Sequence, residues 1–160
     1  MQIQSLLKPL AEFEAAIGDL YEWFAEVFAT DHEVAFTFYR LATDERAHVS
    51  LIEYQRRLVR NNPAAFSEVS ADLDELQELS ALATSVRNGP QPPSLEEAVA
   101  LTFRLEGSAA EYHFRNAMRQ ANPDTARLLD GLGKADRVHL VALRDFAKGR
   151  GLPVPLESER

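Results

Sequence analysis

The chain has 160 residues, of which 46% are apolar and 26% charged, with a formal net charge of -8. This length suits one domain with a sizeable core, so we expect a single domain over residues 1–160. The acidic net charge argues against a surface for nucleic acid, so we expect no nucleic-acid partner. There is no cysteine, which excludes disulfides, thiolate zinc sites and iron–sulfur clusters, so a metal would need carboxylate and imidazole ligands.

The amino-terminal segment lacks the pattern of a secretory signal, in which a basic start precedes a continuous apolar stretch. No segment is long and apolar enough to predict a membrane span. We therefore expect a cytoplasmic protein without a membrane partner.

Apolar residues at three- and four-residue steps predict a first helix over about 5–29. Thr30 and Glu33 have the spacing of a capping box, in which each side chain satisfies an amide at a helix start. This pair predicts a second helix over about 31–61, which Pro63 ends.

A long connection over 62–93 follows, in which the amphipathic segment 70–88 predicts a shorter helix. Ser94 and Glu97 form a second capping-box pattern. They predict a third long helix over about 94–121.

The fourth helix is predicted over about 123–148, with Asn122 as its N-cap and Pro123 at its first position. Gly149 is the expected C-cap, and the tail 149–160 is expected to be extended. Two helix hairpins with tight turns, joined by one long crossover, predict an all-α four-helix bundle.

Two of the long helices carry an acid followed three residues later by a histidine. These pairs are Glu45 with His48 and Asp136 with His139. Residues three apart share a helix face, so each pair can serve one site. One such pair arises easily by chance, whereas two at the middle of long helices favour a shared site.

The positions of two further acids relative to the turns support that site. Glu14 and Glu45 are 31 residues apart, and Glu106 and Asp136 are 30 apart. Both midpoints fall on the predicted turns, so each acid lies about 22 Å from its turn at 1.5 Å per residue. The two halves of the chain therefore predict one site around a pseudo-twofold axis.

The four acids lie on apolar stripes that carry no lysine or arginine near them. Buried carboxylates of this kind cost several kcal/mol per ion unless they bind protons or metal. Two divalent cations would balance four carboxylates, and oxygen with imidazole ligands suits iron or manganese. The candidate metal ligands are Glu14, Glu45, His48, Glu106, Asp136 and His139.

Tyr21 and His113 each lie seven residues after a candidate ligand, on the same helix face. Either they hydrogen-bond the ligands or they pack in the core. The sequence leaves the catalytic residues unassigned.

The series Glu14, Tyr21 and Leu41-Ala42-Thr43-Asp44-Glu45-Arg46-Ala47-His48 resembles the ferritin-like superfamily, nearest to rubrerythrin-like proteins without a rubredoxin domain. The resemblance spans about 10–148. It implies a ferritin-like bundle in which Glu14 and Glu106 are terminal ligands, Glu45 and Asp136 bridge two iron ions, and one histidine completes each ion. It also implies a di-iron oxidoreductase of ferroxidase or peroxidase type that reacts Fe(II) with O2 or peroxide, needs an external electron donor and forms a homodimer.

Two departures from that pattern lead to an alternative. Asp136 is one methylene shorter than the usual glutamate, and Ala109 stands where rubrerythrins tend to carry a further glutamate. The alternative is a non-catalytic metal-binding or metal-depleted bundle that acts in iron handling or as an interaction module. A tail that docks onto a larger assembly, through residues 152–156, is a third hypothesis beside a disordered terminus.

Overall fold

The computed structural model describes residues 1–69, 73–108, 116 and 119–156, without the side chains of 124–136. All regular secondary structure in these ranges is helical, which confirms the all-α prediction. The elements are α1 (Ile3–Val27), α2 (His32–Asn61), a 3-10 turn (Pro63–Ala65), α3 (Asp74–Arg87), α4 (Leu95–Glu106) and α5 (Pro123–Gly149). None of the helices in these ranges has the length and apolarity needed to cross a membrane.

Helices α1 and α2 form a tightly packed pair connected by a short turn. Aromatic side chains fill the space between them near the turn, where the rings of Phe24 and Phe38 meet edge to face with centroids 5.1 Å apart. Both rings are fully buried. The predicted helices 5–29 and 31–61 are confirmed, with ends that differ by one or two residues.

The N-cap of α2 is Asp31 and not Thr30, so the predicted capping box is wrong by one residue. The carboxylate of Asp31 accepts a hydrogen bond from the backbone N–H of Val34 at 3.3 Å. Aspartate caps a helix as well as serine or threonine does. Because the helix begins at His32, Glu33 lies too near the cap to close the box.

Arg150 connects the end of α5 to the start of α2. Its guanidinium donates to both carboxylate oxygens of Asp31, at 2.6 and 2.8 Å, and to Glu33 at 2.7 Å. The hydrogen bond from Arg150, followed by the one from the Val34 N–H, lowers the pKa of Asp31 to about 2. The same carboxylate therefore caps one helix and anchors another.

The C-terminal end of α5 closes on Gly151 and not on Gly149, which is the last helical residue. Gly151 has φ 66°, the left-handed conformation that favours glycine. The N–H of Leu152 bonds to Ala147 O at 2.9 Å, and that of Gly151 to Lys148 O at 3.1 Å. These two bonds are those of a Schellman motif, whose glycine lies two positions after the predicted one.

At the opposite end of the molecule, the segment after α2 contacts the residues before α5. The N–H of Ser67 donates to Ala121 O at 3.2 Å, and the side-chain amide of Asn122 donates to Ala65 O at 3.0 Å. These bonds hold the start of α5 beside the end of α2. Together with Arg150, they place α5 alongside α2 at both ends.

The predicted short helix of the crossover is α3, which packs on α1 through Leu76, Leu79 and Ala83. The predicted capping box at the start of α4 is also confirmed. The N–H of Glu97 donates to Ser94 Oγ at 3.2 Å, and the N–H of Ser94 donates to Glu97 Oε2 at 2.8 Å.

The prediction of an uninterrupted third helix over 94–121 is wrong, because α4 ends at Glu106. The N–H of Gly107 still bonds to Phe103 O at 3.0 Å, but the N–H of Ser108 tightens onto Leu105 O at 3.3 Å. Glycine costs about 1 kcal/mol relative to alanine inside a helix, which favours a stop here. Helical residues resume at 116 and 119–121.

Candidate metal centre

Three of the predicted ligands meet between α1 and α2. Glu14 from α1 and Glu45 with His48 from α2 are all buried, with 3%, 2% and 3% exposure. One ligand atom from each lies within 4.8 Å of the others. All three polar residues lie on the buried, apolar faces of their helices. This is the position that the sequence predicts for the first half of the site.

The distances within this triad suit a single cation. His48 Nδ1 lies 3.4 Å from Glu14 Oε2 and 3.2 Å from Glu45 Oε2. Two donors at right angles, each about 2.1 Å from a metal ion, are about 3 Å apart. The imidazole nitrogen therefore lies from each of the two carboxylate oxygens at nearly the spacing of neighbouring ligands in an octahedral shell.

Gly18 lets the two helices approach at this level. A Cβ added to Gly18 would come within 3.2 Å of the Cβ of Glu45, closer than ordinary van der Waals contact. The missing side chain of Gly18 thus leaves room for the start of the Glu45 side chain. The sequence places Gly18 on the ligand stripe, one turn after Glu14, but gives no sign of this contact.

Glu106, the last residue of α4, is also buried and accepts a hydrogen bond from the phenol of Tyr21. The distance from Tyr21 Oη to Glu106 Oε1 is 2.8 Å. Burial raises the pKa of Glu106 to about 7, and the nearby Glu14 carboxylate adds to this rise, whereas the bond from Tyr21 opposes it. Tyr21 thus bonds a candidate ligand and is also fully buried in the core, so both alternatives for it hold.

His139 of α5 lies beside the triad but binds a residue that the sequence analysis did not select. Its Nε2 is 2.8 Å from Oδ2 of Asp44, and its ring stacks near that of His48 with centroids 6.4 Å apart. Its Nδ1 is buried and has no hydrogen-bond partner among the described residues. Burial lowers the pKa of His139, which favours the neutral ring that can bind a metal.

Asp44 is the residue beside the candidate centre that the sequence pattern does not single out. Metal-binding histidines commonly donate their second ring N–H to a carboxylate, which fixes the orientation of the ring. Asp44 holds His139 in this way, with Nδ1 left available. The only signal in the sequence is its place directly before Glu45.

Two predicted residues fall outside this description. The side chain of Asp136 and the whole of His113 belong to the residues that the structure does not describe. The second half of the candidate centre is therefore represented by Glu106 and His139.

No family model, curated protein or solved structure matches the chain. The chemistry of the centre follows from its own geometry. Three buried carboxylates and two imidazoles, without a thiolate, form the donor set that suits Fe(II) or Mn(II). A bound cation would give a partner to Nδ1 of His139, which has none among the described residues. It would also stabilise the ionised form of Glu106, whose pKa burial raises. The residues present therefore fit a metal centre.

Proposed function

We propose that the chain is a ferritin-like carboxylate protein that binds two iron ions, or manganese in their place, and reacts Fe(II) with O2 or peroxide. The observation that carries this proposal is the buried triad of Glu14, Glu45 and His48, whose ligand atoms lie within 4.8 Å of one another. Such a triad is costly to bury unless a cation or protons balance its charge.

A four-helix bundle with one crossover accounts for the helix contacts. In this arrangement α1 and α2 form one hairpin, and α5 runs beside α2 and contacts α4. The bonds from Arg150 to Asp31 at one end and from Ser67 to Ala121 at the other support this topology. Bundles of this type build di-iron sites from inward-facing glutamates and Glu-x-x-His pairs.

In the proposed centre, Glu14, Glu45 and His48 would hold one ion, and Glu106, Asp136 and His139 would hold the second. Bound Fe(II) ions supply the electrons for O2 or peroxide reduction, and an external donor restores them. Tyr21 fixes the orientation of Glu106, and Asp44 fixes that of His139.

Glu106 is suited to hold and release a proton near the ions. Burial raises its pKa to about 7, so a small change in the surrounding charge switches its protonation near neutral pH. The phenol of Tyr21 donates to Oε1, which leaves Oε2 as the oxygen for a metal or a proton.

Metal analysis of the whole chain after anaerobic addition of Fe(II) tests the proposal. We expect about two ions per chain in the wild type and O2 consumption on exposure to air. The double variant Glu45→Gln with His48→Ala should lose bound iron, whereas the exposed Glu12→Gln variant should not. Fewer than one ion per wild-type chain would contradict the proposal.

A second candidate is a metal-binding or metal-depleted bundle without turnover, acting in iron handling or as an interaction module. The raised pKa of Glu106, to about 7, favours it because protonation can balance part of the buried charge without metal. If the bundle is metal-depleted, Glu45→Gln should raise the Tm by removing carboxylate repulsion, and chelators should leave the Tm unchanged. If it binds metal without turnover, chelation should lower the Tm, but Fe(II) addition should cause no O2 consumption.

A further inference from the structure

A cleft of about 300 Å³ lies between α1 and α2 beside the candidate centre. Its walls come from both helices, and its lining residues are Glu14, Ala15, Gly18, Asp19, Arg46, Val49 and Ser50. Ala15, Asp19 and Ser50 are exposed, whereas Glu14 is buried at 3% exposure. The cleft thus connects the surface with one buried residue of the triad.

Gly18 is one of the lining residues of the cleft. It packs directly against the second acid of the triad, because a Cβ at this position would lie 3.2 Å from the Glu45 Cβ. The cleft is therefore lined by one triad residue, Glu14, and by the glycine that packs against another, Glu45. The volume of about 300 Å³ has room for roughly ten waters at about 30 Å³ each, enough for a cation that keeps part of its hydration shell.

The charges at the mouth favour a cation over an anion. Arg46 forms an ion pair with Glu22, and this hydrogen bond raises the pKa of Arg46, with a further contribution from Asp19. One guanidinium thus faces the two carboxylates Asp19 and Glu22, which leaves a net charge of -1 at the mouth. Ser50 does not add a strong donor, since its hydroxyl donates to Arg46 O at 2.9 Å.

We propose that this cleft is the entry route for hydrated divalent cations, with Asp19 as the carboxylate that attracts them and Glu14 as the first ligand they reach. This inference rests on the proposed function, because it assigns a path to the same centre. A side-chain carboxylate on the route raises the local cation concentration and hence the association rate. It need not change the affinity of the centre, since Asp19 is not a ligand there.

Stopped-flow measurement of Co(II) binding to the whole chain tests the route. The absorbance of bound Co(II) reports both rate and final occupancy, independently of any turnover. We expect Asp19→Asn to slow association about fivefold at low ionic strength, and Ser50→Trp, which places a large ring over the mouth, to slow it at least as much. Final occupancy should stay that of the wild type, and Asp145→Asn, an exposed acid on α5, serves as the matched control.

The failure of the route and the failure of the centre give different results. If the wild type binds no Co(II), both the centre and the route are wrong. If the wild type binds Co(II) and both variants bind it at the wild-type rate, the centre stands and the route is overturned. If Ser50→Trp unfolds, as circular dichroism would show, Asp19→Asn alone decides, because it keeps the size of the side chain.

Discussion

The imidazole of His139 is bonded through Nε2 to the carboxylate of Asp44 at 2.8 Å, which joins α5 to α2 next to the buried triad. The other ring nitrogen, Nδ1, is buried and has no hydrogen-bond partner among the described residues. An imidazole held at one nitrogen and open at the other is arranged as a metal ligand. The triad supports only the first half of the proposed centre, and the contact between Asp44 and His139 supports the second half.

Asp44→Asn should therefore weaken the second ion and spare the first. The amide is a poorer acceptor for the His139 N–H, and loss of such a partner typically lowers metal affinity by about 10- to 100-fold. Isothermal titration with Mn(II) should show two binding steps in the wild type and a weakened second step in the variant. Equal weakening of both steps would show that Asp44 does not act through His139.

Tyr21→Phe removes the bond to Glu106 and should destabilise the metal-free protein at pH 8 by about 1–3 kcal/mol, because a buried carboxylate loses its donor. At pH 5, where Glu106 is protonated, the loss should be smaller. Urea unfolding at the two pH values measures both effects, with the exposed Tyr39→Phe as the control. A loss that is independent of pH would indicate packing alone.

The raised pKa of Glu106 predicts a stability that falls with rising pH. Its pKa moves from an ordinary value of 4.5 to about 7, mainly through burial. Between these values the folded chain holds a proton that the unfolded chain has released, so stability decreases as the pH rises from 4.5 to 7. The total effect is on the order of 3 kcal/mol.

Glu106→Gln provides the check on this pH dependence. It keeps an acceptor oxygen for Tyr21 but removes the titrating group. Unfolding of the metal-free protein at pH 5 and pH 8 should show a clearly smaller difference in this variant than in the wild type. An unchanged difference would assign the pH dependence to other groups.

Gly18→Ala should lower metal affinity, because the new Cβ lies 3.2 Å from the Glu45 Cβ and must displace that ligand. Gly149→Ala is the matched control at the end of α5, where a new Cβ meets nothing within 4 Å. The control should stabilise the fold by up to about 1 kcal/mol through helix propensity. Titration with Mn(II) and thermal unfolding separate the two effects, and an unchanged affinity in Gly18→Ala would contradict the proposed contact.

The features that the sequence predicts well depend on local patterns. Glu45 and His48 are three residues apart on one helix, so they share a face. Glu14 and Glu45 lie equally far from the turn between α1 and α2, so the hairpin brings them to the same level. The capping box of Ser94 and Glu97 likewise depends on four consecutive residues. In both cases the spacing along the chain determines the contact.

The features that the sequence does not predict depend on contacts between distant segments. Asp31 rather than Thr30 caps α2, and its carboxylate also binds Arg150, 119 residues away. The partnership of Asp44 with His139 likewise requires α2 and α5 to lie side by side. The end of α4 at Glu106 is a local event at Gly107, but a single glycine inside an apolar pattern does not by itself predict a break.

The most direct test of the central claim is an anomalous-scattering map from a crystal of the whole chain grown with Mn(II) or Fe(II). We predict a peak about 2.1 Å from the nearest oxygens of Glu14 and Glu45 and from Nδ1 of His48, with a second peak between Glu106 and Nδ1 of His139. A map without a peak at the triad, with these side chains in the positions described above, would contradict the proposed metal centre.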